Sequence, residues 1–548
     1  MAHKDIESRA LNLLSPLGTA TFRSIFLASQ ISNIGWLMQI VAIGWLMTTK
    51  STSAVMIALV QASATLPIFL LGGVVGAITD NYNRRMLLMV GRSIMMAVAA
   101  TLTLLIAVGI TQPWIILLLS FVDGCGVAIS NPAWNASLGD IVERRYLPAA
   151  VALQAVGFNL GRSIGPALGG LIVGAFGPLT VFALTALGFM APLVALWRNK
   201  WEVKAPFSSK ESIGNAIWDG IRFSVISPEI RTTMLRGALF GFASTSTLAL
   251  LPLVARDTLE CGPFGYGMLM AGFGAGALFA GVAAPSLRKR FSQEQLVTLA
   301  SFACAACAIL IAFTSSVSVA AICLAVGGFG WTTAWSGLDL NVQLASPRWV
   351  VGRTSSLYSA FIFGGIAAGS WFWGVIASDQ SLSVALIASG IATLATAALG
   401  LTFPINVRAT TELEPSEESF TPKVVLELTP RSGPIVVSTE YAISEENAEQ
   451  FMRIMQVRRH ALSRVGARRW TLAFDIQKPS NWTETYRTPT WADFDRLHRR
   501  LTAADRELDE QVSSLSQSCK LPQTNILMER SAETTALCWR CFSRSMSR

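Results

Sequence analysis

The chain has 548 residues, 52% of them hydrophobic and only 14% charged, against about 25% charged in an ordinary soluble domain. That deficit excludes a wholly soluble globular protein. The formal charge of +9 is dispersed over loops rather than gathered in a patch, which argues against nucleic acid as a partner.

The deficit is local. Residues 22–403 are nearly all apolar, whereas 404–548 have ordinary soluble composition, so an integral membrane part precedes a soluble domain. A helix needs about 20 apolar residues to cross a bilayer core. Twelve runs meet that length: 22–47, 53–78, 86–110, 113–135, 147–175, 178–197, 233–255, 264–286, 294–314, 317–341, 354–378 and 382–403. The first is too long for the apolar region of a signal peptide, and no small-residue cleavage site follows, so it reads as a retained span.

The gaps between runs alternate in charge. Odd-numbered gaps hold only Lys50 and Arg256. Even-numbered gaps hold Arg84, Arg85, Arg144, Arg145, Arg198, Lys200, Lys204, Lys210, Arg222, Arg231, Arg288, Lys289, Arg290, Arg348 and Arg353. Basic loops stay in the cytoplasm, so both termini and the soluble tail are expected there.

Six spans, a longer link and six more spans make a duplicated architecture. The expected units are a first half (1–197), a link (198–232), a second half (233–403), a linker (404–430), a soluble domain (431–512) and a tail without fixed structure (513–548). The link carries "ESIGNAIWDGIRFSV", spaced as an amphipathic helix lying on the inner membrane surface. "GPALGGLIVG" (165–174) and "GIAAGSWFWG" (365–374) repeat glycine placement at an offset of 200. Parallel repeats of this kind typify secondary transporters with a cavity between the halves. No GxxxxGK[ST] occurs, so ATP drive is not indicated. Cys304 and Cys307 form a CxxC inside a span, without acidic or histidine neighbours, and read as core. No metal site is expected.

Two motifs carry a family resemblance. "GAITDNYNRR" (76–85) has a glycine, an acid four residues on, then a basic pair; "GRSIGPALGG" has Gly161, Gly165, Pro166, Gly169 and Gly170 at fixed spacing. The first resembles the loop 2–3 signature of the major facilitator superfamily, departing from it at Asn81 and Asn83. The second resembles the antiporter-type signature of span 5. "FRSIFLASQISNIGWLMQIVAIGWLM" and "QLASPRWVVGRTSSLYSAFIFGGIAAGSWFWG" are similar to the enterobactin-exporter-like, transmembrane secretion effector branch, over roughly residues 15 to 512. The resemblance implies an all-α membrane fold of 12 helices in two six-helix halves. It implies a secondary active exporter of a small amphipathic molecule (siderophore, drug or secondary metabolite) in the cytoplasmic membrane of a bacterium, driven by proton antiport, and neither an enzyme nor a holder of a cofactor. An importer of the same fold is the first alternative. The second is a transporter fused to an oxygenase-like domain acting on the exported metabolite.

Candidate gating residues cluster at the first motif. Gly76 permits close helix approach. In the family the acid, here Asp80, faces the N-terminus of span 11, here Gly352 to Ser355, where a carboxylate meets unsatisfied N–H groups. Arg84 and Arg85 are placed to pair with Asp140 or Glu143, completing a cytoplasmic latch; alternatively they are only topogenic. Gly157, Gly161, Gly165 and Gly169 form a stripe for tight packing, and Pro166 can bend span 5. Charges inside hydrocarbon cost about 2.5–3.5 kcal/mol and mark cavities or pairs. Asp123 and Arg162 have overlapping depths, so they form either a static pair or a proton-coupling site. Gln30, Asn33, Gln61, Trp335 and Tyr358 are cavity candidates.

In the tail, "PIVVSTEYAI" alternates as a strand, Ser444 caps an amphipathic helix running to Gly466, "RRWTLAFDIQ" and "NWTETYRT" pair as strands, and "PTWADFDRLHRRLTAADRELDEQVSSL" is helical. This β-α-β-β-α order resembles the ferredoxin-like antibiotic-biosynthesis-monooxygenase domain, which implies possible dimerisation through sheets. His460 and His498 read as surface positions of amphipathic helices.

Overall fold

The computed structural model describes residues 14–201, 213–347, 349–405, 426–515 and 523–529. Lys204, Lys210, Arg348, Cys538, Cys541 and the linker from 406 to 425 lie outside them, as do the side chains of Asp80 and Arg144. The chain divides into one unit of Met1–Trp218, Glu229–Gln343 and Gly352–Asn406, and a second of Asp219–Pro228, Leu344–Val351 and Val407–Arg548.

The first unit is helical. Its first half comprises α1 (Ala20–Lys50), α2 (Ala54–Asn81), α3 (Arg84–Ala107), α4 (Pro113–Ile141), α5 (Leu147–Phe176) and α6 (Pro178–Arg198). Helix α7 (Ile213–Ile226) follows in the link. The second half comprises α8 (Pro228–Ser244), α9 (Gly262–Arg290), α10 (Gln293–Phe313), α11 (Val317–Leu344), α12 (Val351–Asp379) and α13 (Leu382–Thr402). Eleven helices among the described residues are long and apolar enough to cross a membrane. The 30-residue α5, rich in glycine and carrying Arg162, stands apart from those eleven by composition.

Local chemistry sets the boundaries. Asn83, one of the two departures from the loop signature, caps α3: its Oδ1 accepts from the N–H groups of Arg85 (3.0 Å) and Met86 (3.4 Å). Ser292 and Gln295 form a reciprocal capping box at α10. Gly177 (φ +80°) followed by Pro178 turns α5 directly into α6. The seventh span departs most from expectation. It begins at Pro228 rather than 233, breaks after Ser244 and runs on in short turns to a π-wound Val254–Thr258. Pro252 in that stretch removes a backbone donor.

Glycines draw the helices together. A Cβ at Gly169 would stand 2.8 Å from Met38 Cα, and one at Gly165 would stand 2.8 Å from Leu37 Cβ, so α5 lies tight on α1. On its other side, a Cβ at Gly170 would meet Pro263 O at 2.6 Å and Gly267 Cα at 2.8 Å, across the α5–α9 contact. In the second half the repeat positions do the same job: Gly365 and Gly369 of α12 close on Ala238 and Phe242 of α8.

The second unit contains β1 (Ile435–Ala442), α14 (Ala448–Val465), β2 (Arg468–Phe474), β3 (Asn481–Thr488), α15 (Trp491–Arg500), α16 (Ala503–Leu515) and β4 (Gln523–Met528). The strands form one antiparallel sheet in the order β2-β3-β1-β4. Strand β4 corrects the expectation of an unstructured run from 513: it pairs with β1 from Ile435↔Met528 to Glu440↔Gln523. Phe494, Leu497, Val465 and Ile435 fill the core under the sheet.

The link helix contributes to this unit as well. Its residues from Asp219 belong to this unit, and Phe223 is buried edge-on against Trp349, 5.6 Å between ring centroids. Arg500 pairs with Asp219 (2.7 Å) and lies over Trp349 at 4.0 Å, and Arg222 donates to the Ala467 carbonyl. Trp218 at the start of the stripe stays 57% exposed.

Glu484 is fully buried on β3, where it accepts from Tyr441 Oη (2.8 Å), Trp470 Nε1 (2.6 Å) and Arg458 Nε (3.0 Å). Burial pushes the Tyr441 and Tyr486 hydroxyls up from their ordinary value. His498, expected at the surface, is half-buried with its ring tilted against Phe494 at 4.2 Å between centroids, and burial lowers its pKa.

Candidate transport site

The site begins with glycines on α4. A Cβ at Gly126 would meet Met95 Cγ at 2.6 Å and Gly91 O at 2.9 Å. That close approach of α3 to α4 carries Arg92 inward beside Asp123, near enough for direct electrostatic attraction. Asp123 is 6% exposed. Its Oδ2 accepts from Trp36 Nε1 of α1 at 2.9 Å, while its Oδ1 is buried with no hydrogen-bond partner. Arg92 also lies 6.0 Å from the Phe189 ring centroid.

One cavity adjoins this group and a second shares part of its wall. The smaller, about 240 Å³, lies within the first half, with Gln30, Asn33, Trp36, Arg92 and Asn131 on its walls. The larger, about 580 Å³, lies between the halves, with Gly76, Thr79, Asn131 and Asn135 on one side and Trp335, Asp339, Arg353, Ser356 and Phe363 on the other. Val127, Asn131 and Asn135 border both. The larger cavity falls in the volume range of small-ligand sites. It reaches the end of the bundle where the α2–α3 and α11–α12 connections lie.

The opposite end is held shut. Arg256 donates to the carbonyls of Thr48 (2.7 Å) and Ser51 (3.2 Å) at the C-terminus of α1. A Cβ at Gly44 would stand 2.7 Å from Tyr266 Oη. With the α5–α9 contact, these tie one half to the other.

Several expected residues stand elsewhere. Asp123 and Arg162 form neither an ion pair nor a hydrogen bond among the described residues. Arg162 instead lies over Phe273 (5.4 Å) and Trp331 (5.2 Å). Rotation about the helix axis turns α5's arginine toward α9 and α11. Arg84 does pair with Asp140 (2.7 Å), and it also donates to Ala136 O (3.0 Å). Arg85 caps α6 through the carbonyls of Leu196 (2.7 Å) and Trp197 (3.1 Å), and Glu143 pairs with Arg145 (2.7 Å). These contacts stay within the first half. Packing also crosses between halves here: a Cβ at Gly76 would meet Ser356 Oγ at 3.1 Å. The Asp80 carboxylate lies outside the described side chains.

Gln30, Asn33 and Trp335 line the cavities; Gln61 and Tyr358 line neither. Tyr358 is fully buried, donates weakly to Trp335 O (3.4 Å) and fills the notch left by Gly237. Gly157 packs against the Gln30 amide, and Pro166 is buried in α5.

The roles of three charged residues escaped sequence reasoning. Arg92 and Arg236 both sit inside apolar helices, and the same criterion that singled out Asp123 applies to them. Arg236 pairs in bidentate fashion with Glu294 (2.6 and 2.7 Å) and ties α8, α10 and the end of α13. Arg256 was visible as a charge on the wrong side of the loop bias. Among the described residues no group of three or more His, Cys, Asp or Glu could hold a metal.

A family model described as transmembrane secretion effector matches residues 11–534. The enterobactin exporter EntS of Shigella boydii serotype 18 is 27% identical over 412 residues, covering 73% of this chain and 96% of that protein. The MFS-type transporter YfiS of Bacillus subtilis, itself uncharacterized, is 27% identical over 276 residues, covering 49% of this chain and 64% of that protein. The crystal structure of a POT family transporter in complex with 5-aminolevulinic acid superposes with a TM-score of 0.59 at 13% identity, covering 71% of this chain and 96% of that one. These similar proteins are transporters of the major facilitator type, not enzymes.

Proposed function

The chain belongs to the transmembrane secretion effector family of the major facilitator superfamily, and from that membership we propose that it exports a small amphipathic molecule across the cytoplasmic membrane of a bacterium by proton antiport. Twelve spans with both termini in the cytoplasm fit the family and the charge bias of the loops. The large cavity then faces the cytoplasm, and the Arg256, Gly44 and Gly170 contacts close the outer end. Alternating access consists of rocking the halves so that these contacts part and the Gly76–Ser356 end closes. Similarity to the enterobactin exporter favours a siderophore-like or other secondary metabolite.

The observation that carries the coupling is Asp123. A buried carboxylate with one oxygen held by Trp36, one oxygen unpartnered and an arginine alongside is built to hold a proton in one posture and release it in another. The test uses inverted vesicles with an imposed pH gradient. Asp123→Asn is expected to abolish proton-driven efflux while leaving membrane insertion intact; unchanged proton-driven efflux in that variant refutes the coupling role.

The soluble unit is read as ferredoxin-like, supported by its β-α-β-β-α-α-β order and the sheet order β2-β3-β1-β4. Its exposed sheet edges suit a homodimer contact. Sedimentation of the full-length protein in nanodiscs tests that contact; a monomer at all concentrations refutes it.

A further inference from the structure

We propose that Arg162 is the anchor for a negative group on the transported molecule, and that this molecule is therefore an aromatic anion whose ring stacks along Trp331 and Trp335. The inference rests on the transport reading above and adds the substrate class to it.

A cation inside an apolar helix costs about 2.5–3.5 kcal/mol and requires a partner. The other arginines of the bundle interior have one within the chain. Arg84 meets Asp140, Arg236 meets Glu294, Arg92 stands beside Asp123, and Arg256 reaches two carbonyls. Arg162 is half-buried on α5 and, among the described residues, donates to no carboxylate, hydroxyl or carbonyl. It faces only the rings of Phe273 and Trp331. A guanidinium has five N–H donors, and ring faces leave the in-plane ones unused. The walls of the two cavities do not include Arg162 or Trp331, so a molecule in the larger one meets Trp335 and Phe363 first and the guanidinium beyond them.

The rings give the second half of the argument. Trp331 lies 4.8 Å from Trp335, and Trp335 lies 5.1 Å from Phe363. Trp335 and Phe363 form part of the wall of the 580 Å³ cavity. A ladder of aromatic faces thus runs from the cavity to the unpaired guanidinium. Aromatic faces accept planar rings in offset or edge-on stacks, worth about 0.5–1.5 kcal/mol beyond burial. A carboxylate or ionised phenol can meet the guanidinium fork by charge-assisted hydrogen bonds. A cationic drug would instead face an arginine with no counter-charge.

Full-length protein in nanodiscs is titrated calorimetrically with 1-naphthoate, its neutral counterpart 1-naphthalenemethanol, and the non-aromatic cyclohexanecarboxylate. The expected result is that 1-naphthoate binds at least about tenfold more tightly than either. Arg162→Gln should lower 1-naphthoate affinity by about tenfold or more and leave the alcohol within about twofold. Arg162→Lys should restore part of the difference, and Trp331→Leu should weaken both naphthalenes but not cyclohexanecarboxylate. Equal binding of 1-naphthoate and the alcohol by the unsubstituted protein overturns the proposal without any variant, as does an intact anion preference in a folded Arg162→Gln protein. The same protein in proteoliposomes separates this from the transport reading. Proton-driven movement of neutral probes without anion preference overturns the Arg162 assignment alone. Anion preference with no probe moved under any pH gradient supports the Arg162 site and removes transport.

Discussion

Arg256 offers the sharpest test of what holds the posture seen here. It lies in the π-wound Val254–Thr258 of the second half and donates to the Thr48 and Ser51 carbonyls that end α1 of the first half. A hydrogen bond involving a charged group is worth about 1.5–3 kcal/mol. The side chain is 28% exposed and its second bond is long at 3.2 Å, so the lower figure, about 1.5 kcal/mol, applies to the pair. Arg256→Gln removes the charge, and about 1.4 kcal/mol is a tenfold shift in a two-posture equilibrium. Thr52 and Ser315 are exposed positions on the two halves at this same end, and spin labels at cysteines placed there, in a background without the native cysteines, report its opening by pulsed electron resonance. The expected result is about a tenfold rise in the long-distance population. Distance distributions that stay superimposable, in a variant with unchanged thermal stability, would show that the contact carries no gating energy and would refute the reasoning.

Gly170→Val should push α5 from α9, because even a Cβ would stand 2.6 Å from Pro263 O; overpacking costs about 1–3 kcal/mol, read as a lower Tm or a larger open population at the same labelled end. His498 predicts a pH dependence in the soluble unit. Burial lowers its pKa in the fold, so the unfolded chain binds more protons, and the stability it contributes is present above the unfolded value and lost as pH falls through the folded one. Melting of the full-length protein should therefore drop between about pH 7 and 5 more steeply than that of His498→Gln. Arg500→Ala removes both the Asp219 pair and the Trp349 contact, worth about 1–2 kcal/mol together. Hydrogen exchange should then quicken in the segments around Asp219 and Trp349 before it changes in α14.

The membrane helices were legible because a long apolar run has few other physical uses. Their faces were not. The Asp123–Arg162 pairing was argued from depth, and depth does not fix rotation about the helix axis. Rotation here is set by glycines: Gly91 and Gly126 turn Arg92, not Arg162, toward Asp123. A sequence shows that an arginine sits a few residues inside a helix. It does not show whether the side chain snorkels to the surface or turns inward. Strand β4 stayed hidden for another reason. Its burial pattern is mostly exposed, and its stability comes from pairing with β1 rather than from its own apolar content. Tyr358 read as a ligand contact because a polar aromatic in a span is ambiguous, and only the missing side chain of Gly237 shows that the ring is packing.

The repeat at an offset of 200 residues has a mechanical consequence. Gly165 and Gly169 seat α5 on α1, and Gly365 and Gly369 seat α12 on α8. Within each half, then, the glycines fuse a pair of helices into a rigid body, since backbones in contact cannot be separated without opening a void. The contacts between halves join other pairs: α5 on α9 at Gly170 with Gly267 and Gly274 with the Arg162 carbonyl, Gly44 on Tyr266, Gly76 on Ser356 and the charged tie of Arg256. They lie on faces that must part or slide when the halves rock. A substitution that fills an in-half seat should therefore lower stability without changing the balance of postures, whereas one that fills a seat between halves should change that balance. Gly169→Ala and Gly170→Ala sit one residue apart on the same helix, one in each class, and their comparison isolates the difference from any effect of helix propensity.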